Sequence, residues 1–141
     1  MTRDHQLNVS RFVVVAIAAA FLVALLAVAG PASAASCFGK KATIVSSKTK
    51  VTGTKDHDVI VVKGKKKHTI DGAGGHDRIC GSPGPDTVIG NGGNDRADAG
   101  AGDDSATGST GNDTVRGGSG DDLVQGDKGN DDLDGGAGND R

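Results

Sequence analysis

Apolar and polar positions in the second half of the chain follow one fixed beat. Every ninth residue is apolar: Ile79, Val88, Ala97, Ala106, Val115, Val124 and Leu133. Two residues before each stands an aspartate, in the series Asp77, Asp86, Asp95, Asp104, Asp113, Asp122 and Asp131, and Asp140 keeps the beat. Glycine holds the fourth place of every unit from Gly75 to Gly138, and the first place of every unit except at Ala99. A helix repeats at about 3.6 residues and a strand at two, so neither explains nine. A row of like units does: each is too small to bury its apolar residue alone and stacks on its neighbours to do so. The three residues centred on each apolar position predict a short strand with that side chain pointing inward. The glycines before it predict a sharp turn with positive φ.

Upstream the beat is weaker but legible. Gly53 to Val61 forms a degenerate unit, with Asp58 in the aspartate place and Ile60 in the apolar place. Lys63 to Asp71 forms another, with His68 where the aspartate belongs and Ile70 in the apolar place. Val62 is an extra residue between them. Strand-like runs occur at Ala42 to Val45 and Val59 to Val62. These features predict an N-terminal cap over residues 35–71 and regular repeats over 72–141. The chain stops inside its last unit, so its C-terminus reads as incomplete.

The N-terminus has a different grammar. Arg3 and Arg11 precede an apolar run from Phe12 to Ala29, Pro31 breaks it, and Ala32-Ser33-Ala34 is a small-residue cleavage signal. Residues 1–34 thus read as a secretory signal peptide, and the protein as secreted and extracellular. The apolar run is long enough to anchor in a bilayer, but the cleavage signal favours removal. A lipoprotein cut before Cys37 fits less well, because no bulky aliphatic residue stands three places before it.

Composition sharpens the picture. Beyond the leader, Phe38 is the only aromatic residue, and there is no Trp or Tyr. A conventional globular core is not expected, since aromatics and large aliphatics supply most core area. Of the 24 glycines, 20 lie after Asp71, and every acid is Asp, with no Glu. Charge is polarised: Cys37 to Asp71 carries nine Lys and three Asp, whereas Gly72 to Arg141 carries 14 Asp against five Lys and Arg. So acidic a segment needs counter-ions to become compact. An even cysteine count in an exported chain predicts one disulfide, Cys37 to Cys80.

The units fit G-G-x-G-x-D-x-U-x, with U a bulky apolar residue, a calcium-binding nonapeptide signature. Calcium takes six to eight hard oxygens at roughly 2.3–2.6 Å. One turn cannot supply them, but two stacked turns can, each giving one carboxylate and some carbonyls. On these residues the chain resembles the RTX (repeats-in-toxin) family over 72–141. The resemblance implies an all-β, right-handed parallel β-roll, a β-helix-like solenoid with two nonapeptides per coil. It implies Ca2+ held between turns 18 residues apart. Asp77, Asp95, Asp113 and Asp131 would stack on one side, and Asp86, Asp104, Asp122 and Asp140 on the other, with up to about six ions. The matching inner columns are Ile79-Ala97-Val115-Leu133 and Val88-Ala106-Val124.

Other chemistries are weaker. No phosphate loop, H-E-x-x-H helix or G-x-S-x-G elbow is present, and neither a catalytic site nor nucleic-acid binding is expected. An EF-hand-like opening at Asn130 to Gly135 places Arg141 where a bidentate Glu belongs. His57, His68 and His76 lack compact zinc spacing. Lys65, Lys66 and Lys67 read as a solvated turn, three lysines being few for a polybasic site. The expected partner is calcium. Contact with cell wall or matrix, self-association through the open C-terminal end, and descent from a larger RTX enzyme or toxin remain alternatives.

Overall fold

The computed structural model describes residues 35–141, and the signal-peptide assignment over 1–34 lies outside them. Among the described residues there is no helix. Parallel strands wind into a β-solenoid of about five coils. One face is a six-stranded sheet in the spatial order β13 (Asp132–Ala137), β11 (Thr114–Ser119), β9 (Arg96–Ala101), β7 (Arg78–Cys80), β5 (Val59–Val62), β3 (Ile44–Ser46). The other is five-stranded: β12 (Leu123–Lys128), β10 (Ser105–Thr110), β8 (Asp86–Gly92), β6 (His68–Asp71), β4 (Lys50–Thr52). Successive strands alternate between the sheets, so each coil uses two units.

The nine-residue beat sets the register. Ile60 pairs with Ile79, Ile79 with Ala97, Ala97 with Val115 and Val115 with Leu133. On the other sheet Val51, Ile70, Val88, Ala106 and Val124 follow one another. The two inner columns are those expected, extended upstream by the degenerate units. Ile60, Ile70 and Ile79 are wholly buried, and each contributes about 1.5–3 kcal/mol of apolar burial. Ala97 and Ala106 are equally buried but bring far less area. The apolar core is therefore densest in the N-terminal coils, while Leu133 is 46% exposed.

Two features differ from the sequence expectation. The regular strands span six residues rather than three, as in Ser105–Thr110. The parallel ladder continues through the first three places of the next unit, with Ser109 opposite both Asn91 and Asp127. The turn proper is thus shorter than the glycine pattern implies. Positive φ at the second place is also not reserved for glycine: Ala73, Asn91, Ser109 and Asp127 adopt it at 68–85°.

A short antiparallel hairpin, β1 (Ser36–Cys37) and β2 (Lys40–Lys41), packs on the early coils. Cys37 is joined to Cys80 in the expected disulfide, and the Phe38 ring lies 4.3 Å from the Arg96 guanidinium carbon. The one aromatic side chain of this region thus serves as a clasp rather than as core.

Candidate metal centre

The aspartate place ends each turn, and the stacking of coils brings its members together. On one edge the main-chain amide of Asp58 donates to Asp77 Oδ1 at 2.8 Å. Asp77 does the same to Asp95 at 2.8 Å, Asp95 to Asp113 at 2.7 Å and Asp113 to Asp131 at 2.9 Å. On the other edge the amides of His68, Asp86, Asp104 and Asp122 donate in turn to Asp86, Asp104, Asp122 and Asp140 at 2.6–3.0 Å. The eight sequence-predicted aspartates therefore form two separate columns of four. The step from Asp58 to Asp77 is 19 residues rather than 18, because Val62 adds one.

Each of these contacts uses only Oδ1. The Oδ2 atoms of Asp77, Asp95, Asp104, Asp113 and Asp122 are buried without a protein hydrogen-bond partner. A buried carboxylate oxygen left unmatched is costly, which marks a place meant for a cationic partner. The first-place glycines show where it lies. A Cβ on Gly72 would fall 2.6 Å from Asp77 Oδ2 and 2.7 Å from the Gly90 carbonyl oxygen. At Gly90 the corresponding atoms are Asp95 Oδ2 at 2.5 Å and the Gly108 oxygen at 2.6 Å. At Gly117 they are Asp122 Oδ2 and the Gly135 oxygen, both at 2.5 Å. Carboxylate and carbonyl oxygens of adjacent coils thus converge on the point a side chain would fill.

Electrostatics agree. Burial pushes the Asp77 carboxyl up to about 6, and the Asp95 and Asp58 carboxylates add to the rise. Burial likewise lifts Asp104 to about 6, with Asp122, Asp86 and Asp103 contributing. Asp95 and Asp113 are raised by burial and by their neighbours Asp113 and Asp131. Stacked carboxyls starved of water favour either a proton or a metal ion. Among the described residues no three His, Cys, Asp or Glu side chains converge on one point. A cation held here would draw on at most two carboxylates, with main-chain carbonyls of the adjacent coil among its further ligands. Such an all-oxygen, carbonyl-rich set suits calcium rather than a transition metal.

The family model for the RTX calcium-binding nonapeptide repeat, in four copies, matches residues 71–106 and 107–141. The chain belongs to the RTX calcium-binding repeat family. No curated protein and no solved structure matches it. Its solenoid is the β-roll of that family, and its stacked turns are RTX turns.

Not every RTX turn in this chain is alike. Ser82 donates to Asp86 Oδ2 through both its amide, at 2.8 Å, and its hydroxyl, at 2.9 Å. Oδ1 of Asp86 meets the amide and Nδ1 of His68 at 3.0 and 2.9 Å. Both oxygens of Asp86 are thus satisfied by the protein. Thr54 treats Asp58 the same way, through its amide at 2.7 Å and its hydroxyl at 2.9 Å. Ser82 and Gly84 also lack the positive φ found at the second and fourth places of the other regular units. Pro83 and Pro85, with φ fixed near −65°, flank that different turn. The three histidines do not assemble: the His57 and His76 rings meet at 4.8 Å, whereas His68 is buried on the other edge.

A second ladder escaped the sequence reading. In the regular coils the residue before the aspartate accepts from the next coil: Asn94 Oδ1 from the Asn112 amide at 3.0 Å, and Asn112 Oδ1 from the Asn130 amide at 2.9 Å. Asp103 and Asp121 do the same on the other edge. The signal for it is the run of Asn and Asp at the fifth place of the units.

Proposed function

We propose that this protein is an exported, non-enzymatic calcium-binding β-roll whose acidic coils close on Ca2+ as they fold. The reading rests on one observation above all: five buried aspartate Oδ2 atoms lack a protein partner, and those of Asp77, Asp95 and Asp122 are set against main-chain carbonyls of the next coil. Without a cation these columns stack like charges, and the thin core at Ala97 and Ala106 does little to offset the repulsion. Calcium binding and folding of those coils are then one event. The affinity expected is that of extracellular modules, about 10⁻⁴–10⁻³ M.

Export is supported by the leader-like sequence before Ala35 and by the Cys37–Cys80 disulfide, a bond that persists in oxidising compartments. A structural role suits the Ser82–His68–Asp86 cluster, although the residue types are those of a hydrolase triad. The same ring nitrogen, His68 Nδ1, faces both Asp86 Oδ1 and Ser82 Oγ, whereas a proton relay uses opposite nitrogens. All three side chains are buried.

Far-UV circular dichroism of residues 35–141 during a calcium titration, with magnesium as control, tests this reading. The expected result is a gain of β signal near millimolar calcium that magnesium does not produce. A full β spectrum in chelator, unmoved by calcium, would refute ion-coupled folding.

A further inference from the structure

The sequence shows three adjacent lysines in one turn; the fold brings three more beside them. Residues 47–49 connect β3 to β4, and residues 63–67 connect β5 to β6 one coil on. The amide of Lys63 donates to the Ser46 carbonyl at 2.8 Å, and that of Thr69 to the Thr49 carbonyl at 2.8 Å, so the two turns lie one above the other. Lys48, Lys50, Lys63, Lys65, Lys66 and Lys67 consequently share one edge, and all six are exposed. Neither turn holds an acid. Among the described residues no lysine has an ion-pair partner, the one pair being His68 with Asp86. The next turn on this edge, residues 81–85, is uncharged, and a Cβ on its Gly84 would fall 2.5 Å from the Lys65 carbonyl oxygen. Asp86, just after it, is buried against His68, and exposed acids resume only with Asp103 and Asp121 beyond. The neutral turn separates the lysines from the carboxylates that would otherwise quench them.

We propose that this lysine edge docks a linear phosphodiester polymer lacking aromatic bases. Five of these lysines stand in the two stacked turns and Lys50 opens β4; with the turns about 4.8 Å apart along the solenoid, they form a compact, exposed positive patch. Lysine binds phosphate as a compact point charge, and neither lysine turn holds an arginine. Nucleic-acid single strands are held by aromatic stacking as well as charge. The one aromatic side chain among the described residues, Phe38, is packed on Arg96 instead. Membrane surfaces are gripped by a broad apolar face beside the charge, and Val45 is the only large apolar residue exposed at this end. The proposal is independent of the calcium reading, because neither turn contains an aspartate.

The test uses residues 35–141, which contain every described strand within one compact unit. Binding to soluble poly(glycerol phosphate) is followed by calorimetry over a range of salt with calcium held constant. The expected log–log salt slope is about −4, for six charges each releasing about 0.7 counter-ion. Lys65→Gln, Lys66→Gln and Lys67→Gln together bring the slope to about −2 and weaken binding by about tenfold or more, with the circular dichroism spectrum unchanged. Lys40→Gln, Lys41→Gln and Lys55→Gln together, which lie off this edge, change the affinity by less than about twofold. Equal weakening by the two triple variants would reduce the effect to net charge and overturn the proposal. So would the absence of binding at low salt, or binding only to single-stranded DNA or to phosphatidylglycerol vesicles.

Discussion

The main-chain amide of Asp77 donates to Oδ1 of Asp95, one coil away, at 2.8 Å, while Oδ2 of Asp95 has no protein partner. One oxygen fixes the stacking of the coils and the other faces the inter-coil space. The two roles are separable by mutation. Asp95→Asn keeps an acceptor for the Asp77 amide but removes the charge. We expect calcium stoichiometry to fall with the β-roll retained. Asp95→Ala also orphans a buried amide and costs a further 1–3 kcal/mol or so. Calorimetric calcium titration and thermal unfolding of the two variants, compared side by side, check this.

Gly90→Ala tests the convergence point directly. Its Cβ would meet Asp95 Oδ2 and the Gly108 oxygen at 2.5 and 2.6 Å, although the backbone there does not require glycine. Calcium affinity should drop by about tenfold or more, corresponding to 1.4 kcal/mol or more. Wild-type affinity in this variant would show that the oxygens meeting there are not ligands.

Protonation and calcium compete for the same carboxyls. Asp77 and Asp104 titrate near 6 in the folded, metal-free protein against an ordinary value of 3.8. Between those limits the folded state holds more protons than the unfolded chain. The stability these groups confer on the metal-free roll is therefore fully present below about pH 4 and is lost as pH rises through about 6. Calcium affinity runs the other way and weakens as pH falls through 6. Far-UV circular dichroism in chelator should show more β signal at pH 4.5 than at 7.5, and calcium titrations at pH 5 and 7.5 should show the weaker affinity at the lower pH.

Ser82 satisfies Asp86 Oδ2 without a metal. Ser82→Ala removes one of the two donors to the buried Oδ2 of Asp86. It should destabilise the protein in chelator by about 1–3 kcal/mol, while the calcium affinity of the Asp77–Asp95–Asp113 column stays as in wild type. Denaturant unfolding in chelator gives the first quantity, and calorimetry the second.

The Cys37–Cys80 bond closes a loop of 43 residues around the coils with the densest core. Reduction should cost about 4 kcal/mol on the chain-entropy model. Chemical denaturation with and without reductant measures it. A change of under about 1 kcal/mol would place the stability of this region in the strands alone.

The period was the legible part of this fold. Nine-residue spacing between like residues is enough to stack Asp77 on Asp95 and Ile79 on Ala97, because a strand ladder joins residues at constant sequence offset. Deviations from the period were harder to read. Ser82 is one hydroxyl among several, and Ser109 occupies the same place in its unit. Only backbone conformation separates them: Ser109 has φ of 85°, whereas Ser82 lies in the proline-flanked turn and donates to its own aspartate. Lys48 and Lys67 are far apart in a reading by composition, and they share an edge because the irregular first coil happens to close between them. The six-residue strands were obscured by glycine, which is usually a poor strand former but here leaves room for the carbonyl of the adjacent coil.

The most direct test of the central claim is calcium-binding calorimetry on residues 35–141 beside a variant in which Asp77, Asp95 and Asp113 are all replaced by Asn. The account predicts several calcium ions bound in the wild type in the 10⁻⁴–10⁻³ M range or so, fewer in the variant, and no comparable response to magnesium. Equal calcium binding by the two proteins, or none by either, would contradict it.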